Sequence, residues 1–247
     1  MIRATIFDLG GTLAAPGERL SDEELDRRNA GALLSWLRQN GLRVEDTFVE
    51  ALVAERRASV ARRARDAAEV TVVEALRPAL QQHQLPHHAA FVVECEVAFF
   101  QPELSSMRLL PGAEEILRRA RAAGLHLGLA SNASSHYFVT ECCRRLGLDV
   151  WLDPIVTSAG IGWQKPDRRI FNALLSAWSL APGEVVMVGD SPSADIAGAN
   201  GLGMRSILIA GNRPPEAPAP RPDAIAQDLT QAGDLLEQWI LAGESRG

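Results

Sequence analysis

The strongest constraint on the fold is a series of short, uninterrupted apolar segments, each followed by a stretch with helical periodicity. The first segment covers residues 2–7, and four more follow in the second half of the chain. Such runs are typical of parallel strands covered on both faces, and their alternation with helices predicts a doubly wound α/β sheet. The later strands are predicted at residues 125–130, 154–157, 185–188 and 206–209.

Helical patterns separate these strands. Gly124 and Gly147 end two of them as C-caps, and Pro166 stands at the first helical position of a third. The proline-rich residues 211–223 predict a surface loop. Helices are expected over residues 112–123, 136–146, 167–179, 194–200 and 230–241.

Residues 18–106 do not continue this alternation of strands and helices, because they contain no convincing strand. Ser21, Thr47 and Thr71 are each followed three residues later by Glu, the pattern of a capping box. Three such helix starts ahead of amphipathic runs predict a helical insert. Pro78 lies inside the third run, where it is expected to kink or end the helix.

Composition limits the classes of partner. The chain has 247 residues, of which 47% are hydrophobic, and its formal charge is −6, which does not suggest binding to nucleic acid. No apolar run reaches the roughly 18 residues of a membrane span. The first strand begins at residue 2 and leaves no room for a signal peptide, and the three cysteines do not form a disulfide or zinc pattern. We therefore expect a soluble, cytoplasmic protein; its oligomeric state has no signature in the sequence.

Carboxylates follow two of the predicted strands. Asp8 ends the first strand, Asp190 follows the strand at 185–188, and Asp195 comes five residues later. Strand ends in an open α/β sheet usually face a ligand crevice, so these side chains are expected to converge. Converging carboxylates need a cation, and hard oxygen ligands with room for water and phosphate favour Mg²⁺.

Polar groups suited to a phosphate follow the other two strands. Ser131 and Asn132 come after the strand at 125–130 and can donate hydrogen bonds to phosphate oxygens. Lys165, the single lysine among 25 basic residues, follows the strand at 154–157. A compact ammonium there can balance the charge of both a phosphate and a carboxylate.

In this order the four groups resemble the four motifs of the haloacid dehalogenase superfamily, hydrolases that mostly act as phosphatases through an aspartyl-phosphate. The resemblance covers residues 1–15 and 107–240. It implies a Rossmann-like catalytic core at residues 1–17 and 107–247, with residues 18–106 as the helical cap of the subfamily that includes phosphoglycolate phosphatase and β-phosphoglucomutase. The matching motifs are residues 7–13 (FDLGGTL), 130–132 (A-S-N), 165–167 (K-P-D) and 189–195 (GDSPSAD).

The resemblance also implies roles for these residues. Asp8 would be the nucleophile, Ser131 would hold a phosphoryl oxygen, and Lys165 would stabilise charge in the transition state. The cap would exclude water and choose a small phosphorylated substrate. Further substrate contacts would come from Gly11, Thr12 and Asn132. The Mg²⁺ ligands would be Asp8, the backbone carbonyl of Gly10, Asp190 and Asp195.

Gly10 departs from the phosphatase pattern. Phosphatases of the family have a second Asp at this position, which protonates the leaving alkoxide and then activates water. A 2-haloacid dehalogenase also lacks that Asp, because halide needs no proton, but it uses no Mg²⁺ and lacks the acidic fourth motif. A phosphonoacetaldehyde hydrolase has a small residue here, but it requires a cap lysine, and residues 18–106 contain no lysine.

Two further interpretations of the function remain. The first is a Mg²⁺-dependent phosphatase in which Gly10 narrows the leaving groups that can depart or lowers the activity. The second is a weakly active or non-catalytic protein that binds a phosphorylated ligand or a partner protein. Retention of Asp8, Lys165, Asp190 and Asp195 favours the phosphatase.

Overall fold

The central feature of the computed structural model, which describes residues 1–66, 68–211 and 220–244, is a sheet of six parallel strands. In chain order the strands are β1 (Ala4–Phe7), β2 (Ala14–Pro16), β3 (Met107–Leu109), β4 (His126–Ser131), β5 (Ile155–Thr157), β6 (Val185–Gly189), β7 (Arg205–Ile209) and β8 (Ala224–Ala226). Six of them lie in the order β5-β4-β1-β6-β7-β8, and β2 pairs separately with β3. The predicted doubly wound parallel sheet is therefore confirmed.

Helices fill the intervals between the strands. They are α1 (Asp22–Gln39), α2 (Thr47–Asp66), α3 (Val72–Gln82), α4 (Ala89–Ser106), α5 (Ala113–Ala122), α6 (His136–Arg145), α7 (Ser158–Ile161), α8 (Arg168–Trp178), α9 (Ala197–Leu202) and α10 (Leu229–Glu244). A 3₁₀ turn covers Pro182–Glu184 and a π-helical turn covers Pro192–Ile196.

The strand order makes β1 the switch point of the sheet. Its neighbours are β4 on one side and β6 on the other, with Phe7 opposite Leu129 and Val188. All four residues of β1 are buried, so the strand is covered on both faces. In an open α/β sheet ligands bind beyond the carboxyl ends of the strands at such a point. The residues that follow β1, β4 and β6 are therefore placed to form a site.

Apolar packing fixes the sheet between layers of helices. On one face, Ile6 and Met187 pack in a cluster with Phe171 and Leu174 of α8. On other parts of the sheet, α5 packs against β4, and α10 packs against β7 and β8. Strands buried in this way cannot slip in register without exposing apolar side chains.

The chain divides into two compact units. The sheet unit comprises Met1–Ala15, Arg108–Asn132 and Cys143–Gly247, and the helical unit comprises Pro16–Met107 and Ala133–Cys142. Within the helical unit α1 packs against α2 and α4, and α3 packs against α2 and α4. As expected, residues 18–106 contain no strand in the part that the structure describes.

Residues 133–142 differ from the sequence analysis, which placed them with the sheet. The Val72 amide donates a hydrogen bond to the Ser134 carbonyl at 2.8 Å. The rings of Phe100 and Phe138 have centroids 5.0 Å apart. These contacts with α3 and α4 group the segment with the helical unit.

The predicted helix starts are confirmed in part. Ser21 and Glu24 form both bonds of a capping box at α1. At α3 the Glu74 carboxylate accepts from the Thr71 amide, but the Thr71 side chain makes no cap bond. Thr47 is the first residue of α2 rather than its predicted N-cap, and Pro78 lies within α3 without ending it.

Most other boundaries agree with the sequence prediction within two or three residues, with three exceptions, one of which is the short helix α7, where the sequence predicts no element. Instead of one helix over 194–200, a π-helical turn precedes α9, because the Ile196 amide donates to the Ser191 carbonyl five residues back. The short strands β2, β3 and β8 are too brief to show a period in the sequence. Of the predicted loop at 211–223, residues 212–219 lie outside the described residues. Among the described helices, none is long and apolar enough to cross a membrane.

Two glycines in α9 provide a test of this packing. A Cβ added at Gly198 would overlap the buried ring of Phe171, whereas a Cβ at Gly201 meets nothing within 4 Å. Because alanine is favoured over glycine in a helix by about 0.8–1.0 kcal/mol, we expect Gly201→Ala to raise the free energy of unfolding by up to about that amount. Gly198→Ala should lower it by about 1–3 kcal/mol, since the core is overpacked. Urea unfolding measures both, and equal effects would contradict the described packing.

Candidate active site

The chain turns sharply after β1. The Asp8 amide extends the ladder by donating to the Val188 carbonyl at 3.0 Å. The amides of Thr12, Leu13 and Ala14 then all point to the Leu9 carbonyl, at 3.3, 3.0 and 2.9 Å. This closed turn holds Asp8 at the carboxyl edge of the sheet.

The two glycines of the turn differ in what the fold requires of them. Gly11 has a φ of +82°, and a Cβ there would overlap the Asp190 carboxylate. Gly10 is outside the left-handed region, and a Cβ there meets nothing within 4 Å. Gly11 is therefore required by the backbone and by the close approach of Asp190, whereas nothing in the fold requires glycine at position 10.

Three carboxylates converge at this edge, as the sequence predicted. Asp8, Asp190 and Asp195 each offer an oxygen, and these oxygens lie within 4.8 Å of one another. Asp8 and Asp195 are buried, while Asp190 is exposed. Asp195 reaches the cluster from the π-helical turn, where its Oδ2 accepts a hydrogen bond from the Ser191 amide at 3.0 Å. A Cβ at Gly189 would overlap the Asp195 carboxylate, so the glycine leaves room for it.

Lys165 supplies the positive charge of the cluster. Its Nζ lies 2.6 Å from Asp8 Oδ1, 2.7 Å from Asp195 Oδ1 and 2.7 Å from the Ala130 carbonyl oxygen. Burial lowers the pKa of the ammonium, but Asp8 and Asp195 raise it by more, so its pKa lies above the ordinary value. The single lysine of the chain therefore stands at the centre of the site, in a space suited to a compact ammonium.

Crowding of like charge changes the acidity of the carboxyl groups. Burial raises the pKa of Asp8 to about 6, with Asp195 and Asp190 adding to the effect and Lys165 opposing it. Burial and the neighbouring Asp195 also raise the pKa of Asp190. In both groups burial is the main cause of the raised pKa, and the neighbouring carboxylates add to it.

The residues fit a divalent cation. Three carboxylates against one ammonium leave a formal charge of −2. Asp195 Oδ1 is buried and accepts no hydrogen bond from any residue that the structure describes; its contact with Lys165 is an ion pair rather than an aligned hydrogen bond. A buried cluster with excess negative charge is costly unless a cation offsets it. Oxygen donors of this kind suit Mg²⁺, and a Mg²⁺ ion would offset the charge.

The predicted phosphate-binding residues lie at the same edge. Ser131 ends β4, is 5% exposed, and its Oγ makes no hydrogen bond within the described part of the chain. Thr12 is buried, and its Oγ1 lies 3.5 Å from Asp190 Oδ1. The Gly11 amide donates to the Ala14 carbonyl at 2.9 Å, so it is occupied within the turn. A role for Gly11 and Thr12 in substrate binding stays a prediction.

Asn132 has a contact that sequence analysis missed. Its Oδ1 accepts from the Lys165 amide at 2.8 Å, and its Nδ2 donates to the Lys165 carbonyl at 3.1 Å. The side chain thus clamps the main chain of Lys165 to the end of β4. No sequence pattern pairs these residues, which are 33 positions apart, and its predicted substrate contact remains untested.

Contacts among residues on either side of Lys165 also stabilise the loop that carries it. The Arg169 guanidinium lies 3.1 Å from the centroid of the Trp163 ring. The same guanidinium forms two hydrogen bonds with Asp167, at 2.8 and 2.7 Å. Stacking and a bidentate ion pair together restrict the segment on both sides of Lys165.

The chain is similar in sequence to known proteins. The family model described as haloacid dehalogenase-like hydrolase matches residues 2–203. A phosphoserine phosphatase from Thermus thermophilus is 36% identical over 147 residues, which cover 60% of this chain and 56% of that protein. The haloacid dehalogenase-like hydrolase domain-containing protein 3 of Bos taurus is 37% identical over 110 residues, which cover 44% and 43%. The chain therefore spans about half the length of these curated relatives.

Solved structures support the fold. The 2-haloacid dehalogenase from Pseudomonas syringae superposes with a TM-score of 0.71 at 24% identity, over 97% of this chain and 100% of that one. At this identity the likeness concerns the fold alone.

The turn glycines give a first test of the site. We expect Gly11→Ala to lower the free energy of unfolding by about 1–3 kcal/mol, because it forces a strained φ and displaces Asp190. Gly10→Ala is the matched control, and its free energy of unfolding should change by no more than about 1 kcal/mol, because its Cβ meets open space. Thermal and urea unfolding report the difference. Equal loss in both variants would contradict the described turn.

The clamp on Lys165 can be tested through the single lysine. Reductive methylation followed by mass spectrometry reports Lys165 separately from the N-terminus. Asn132→Ala removes two hydrogen bonds worth about 0.5–1.5 kcal/mol each, so we expect labelling of Lys165 to accelerate by about 5-fold or more.

Asn200→Ala is the control for that experiment. Its Nδ2 also donates to a main-chain carbonyl, that of Arg221 at 2.9 Å, but it is not in contact with Lys165. Labelling of Lys165 should be unchanged in this variant. The clamp would be refuted by equal labelling rates in Asn132→Ala and the wild type.

Proposed function

The chain belongs to the haloacid dehalogenase-like hydrolase family, and from this premise we propose that it is a Mg²⁺-dependent phosphatase whose nucleophile is Asp8. The observation that carries the proposal is the meeting of Asp8 with Lys165 and two further carboxylates at the carboxyl edge of the sheet. The substrate would be a small phosphorylated metabolite, in keeping with the activity for which the similar phosphoserine phosphatase is named.

The two oxygens of Asp8 have different surroundings. Oδ1 accepts a hydrogen bond from Lys165, while Oδ2 makes none with the residues that the structure describes. Oδ2 would therefore attack the phosphorus atom and form a covalent phosphoenzyme. Hydrolysis by water would then release inorganic phosphate and restore the Asp8 carboxylate.

Charge balance supports the assignment of the other groups. The Lys165 ammonium would neutralise charge that develops on the phosphoryl group, and Ser131 Oγ would donate a hydrogen bond to one of its oxygens. Gly11, Thr12 and Asn132 are proposed as further contacts to the substrate, although their polar groups also serve the turn and the clamp.

The acidic cluster supports Mg²⁺ as the metal. Asp8, Asp190, Asp195 and the carbonyl of Gly10 would hold it. The ion would supply positive charge, so that an anionic phosphate can approach three carboxylates. The same cluster favours a phosphatase over a dehalogenase, because displacement of a halide from carbon does not require a bound cation.

Position 10 would contribute only its main chain. The general acid and base of the related phosphatases would be missing, so turnover would depend on the leaving group. Residues 18–106 are proposed as the cap domain that selects the substrate.

The test is hydrolysis of p-nitrophenyl phosphate with and without Mg²⁺, because nitrophenolate leaves without a proton. We expect turnover that requires Mg²⁺ and falls to the background rate in Asp8→Asn, which keeps the shape of the side chain but is not a nucleophile. Mg²⁺ should also raise the melting temperature of the wild type, because an ion that binds only the folded chain stabilises it.

The control for folding is the far-ultraviolet circular dichroism of Asp8→Asn. Turnover that is equal in the wild type and in Asp8→Asn would contradict the nucleophile. No turnover in the wild type would favour a protein that binds a phosphorylated ligand without hydrolysing it.

A further inference from the structure

The chain that leaves the carboxyl end of β4 is held by a buried arginine of the helical unit. Ser131 ends the strand, Asn132 follows it, and Ser134 comes two residues after Asn132. The Arg56 guanidinium donates to Ser134 Oγ, with Nη1 and the oxygen 3.2 Å apart. We infer that Arg56 is a positioning residue, which sets the places of Ser131 and Asn132 by holding Ser134. Its effect on Lys165 follows from these contacts, whereas its effect on a phosphate rests on the proposed function.

The Arg56 side chain is itself fixed by two contacts with other helices. Its Nε donates to Asp26 Oδ1 of α1 at 3.0 Å, and the two side chains are 12% and 16% exposed. Its guanidinium carbon lies 5.8 Å from the centroid of the buried Phe99 ring in α4. A planar guanidinium holds several partners in fixed directions. Arg56 is therefore a rigid link between the helices and the chain after β4.

Ser134 is also held through its main chain. Its carbonyl accepts a hydrogen bond from the amide of Val72, the first residue of α3, at 2.8 Å. The chain continues into α6, where the centroid of the Phe138 ring lies 5.0 Å from that of Phe100 in α4. Contacts from α2, α3 and α4 thus meet on the segment that begins just after Asn132.

The separation along the chain is too short to absorb a shift. Only Ala133 stands between Ser134 and Asn132, and two residues of extended chain span at most about 7 Å. Asn132 bonds the amide and the carbonyl of Lys165 at 2.8 and 3.1 Å, and a displacement of about 1 Å would break both bonds. The same displacement would move Ser131 Oγ, and a misplacement of about 1 Å in an active site can cost about 10²-fold in rate.

The neighbouring arginine of α2 provides a matched control. Arg57 also pairs with a carboxylate of α1, that of Glu23 at 2.7 Å, but its side chain is 69% exposed. Within the part of the chain that the structure describes, it makes no hydrogen bond to residues 131–134. Exposed pairs of this kind contribute little to stability. Arg57→Ala therefore removes the same chemical group without removing a contact to the chain after β4.

Amide hydrogen exchange, measured residue by residue, tests the inference independently of activity. The Lys165 amide donates to Asn132 Oδ1, so its exchange rate reports whether Asn132 is in place. We expect this rate to rise by about 5-fold or more in Arg56→Ala and in Ser134→Ala, as for the loss of one or two hydrogen bonds. It should be unchanged in Arg57→Ala. Ser134→Ala is the milder variant, because it leaves the ion pair of Arg56 intact.

Hydrolysis of p-nitrophenyl phosphate with Mg²⁺ measures the consequence for the proposed reaction. Arg56→Ala and Ser134→Ala should each lower kcat/KM by about 10-fold or more, while Arg57→Ala should leave it unchanged. In the double variant Arg56→Ala/Ser134→Ala the loss should be close to that of one substitution, because both remove the same contact.

The outcomes separate this inference from the proposed function. Exchange of the Lys165 amide at the wild-type rate in Arg56→Ala and Ser134→Ala would overturn the inference, whatever happens to stability. A loss of kcat/KM in Arg56→Ala alone would also overturn it, because Arg56 would then act through a contact other than Ser134. If the wild type does not hydrolyse p-nitrophenyl phosphate above the Asp8→Asn background, the phosphatase proposal fails, and the exchange rates still decide the role of Arg56.

Discussion

Three carboxylates within 4.8 Å of one another can remain ionised at the edge of a sheet only if positive charge stands among them. Lys165 provides one such charge, and it does so from the interior, in contact with two of the three carboxylates. One ammonium does not balance three carboxylates, and burial, with mutual repulsion added to it, raises the pKa of Asp8 and Asp190. The excess negative charge is the property on which the proposed cation site, and with it the proposed binding of a phosphate, would depend.

Much of the surrounding structure serves to hold these charges in place. Asp8 and Ser131 are carried by neighbouring parallel strands, but Lys165 comes from a loop and needs separate support. That support is given by Asn132, which bonds both the amide and the carbonyl of Lys165, and by the stack of Arg169 on Trp163. A long flexible side chain becomes a fixed charge only when its main chain is fixed, because the stem otherwise has many rotamers of similar energy.

The sequence was sufficient to predict the elements that alternate and the residues at strand ends. Buried strands such as β6 have a continuous apolar signal, and Asp8 and Asp190 follow such strands directly. The sequence was insufficient to predict contacts between positions that are distant in the chain. It was also insufficient to predict a change from α-helical to π-helical hydrogen bonding. The clamp between Asn132 and Lys165 and the π-helical turn that carries Asp195 both depend on tertiary geometry that no local pattern encodes. The grouping of residues 133–142 with the helical unit has the same origin, since it follows from contacts of Ser134 and Phe138 with remote helices.

The two adjacent glycines of the turn after β1 differ in how strongly the fold constrains them. Gly11 is constrained by the backbone, because its φ is positive and the Asp190 carboxylate occupies the space of a Cβ. Gly10 is free of both constraints, so its identity cannot be explained by folding. Beside the proposed nucleophile Asp8, glycine at this position would contribute only its main-chain carbonyl.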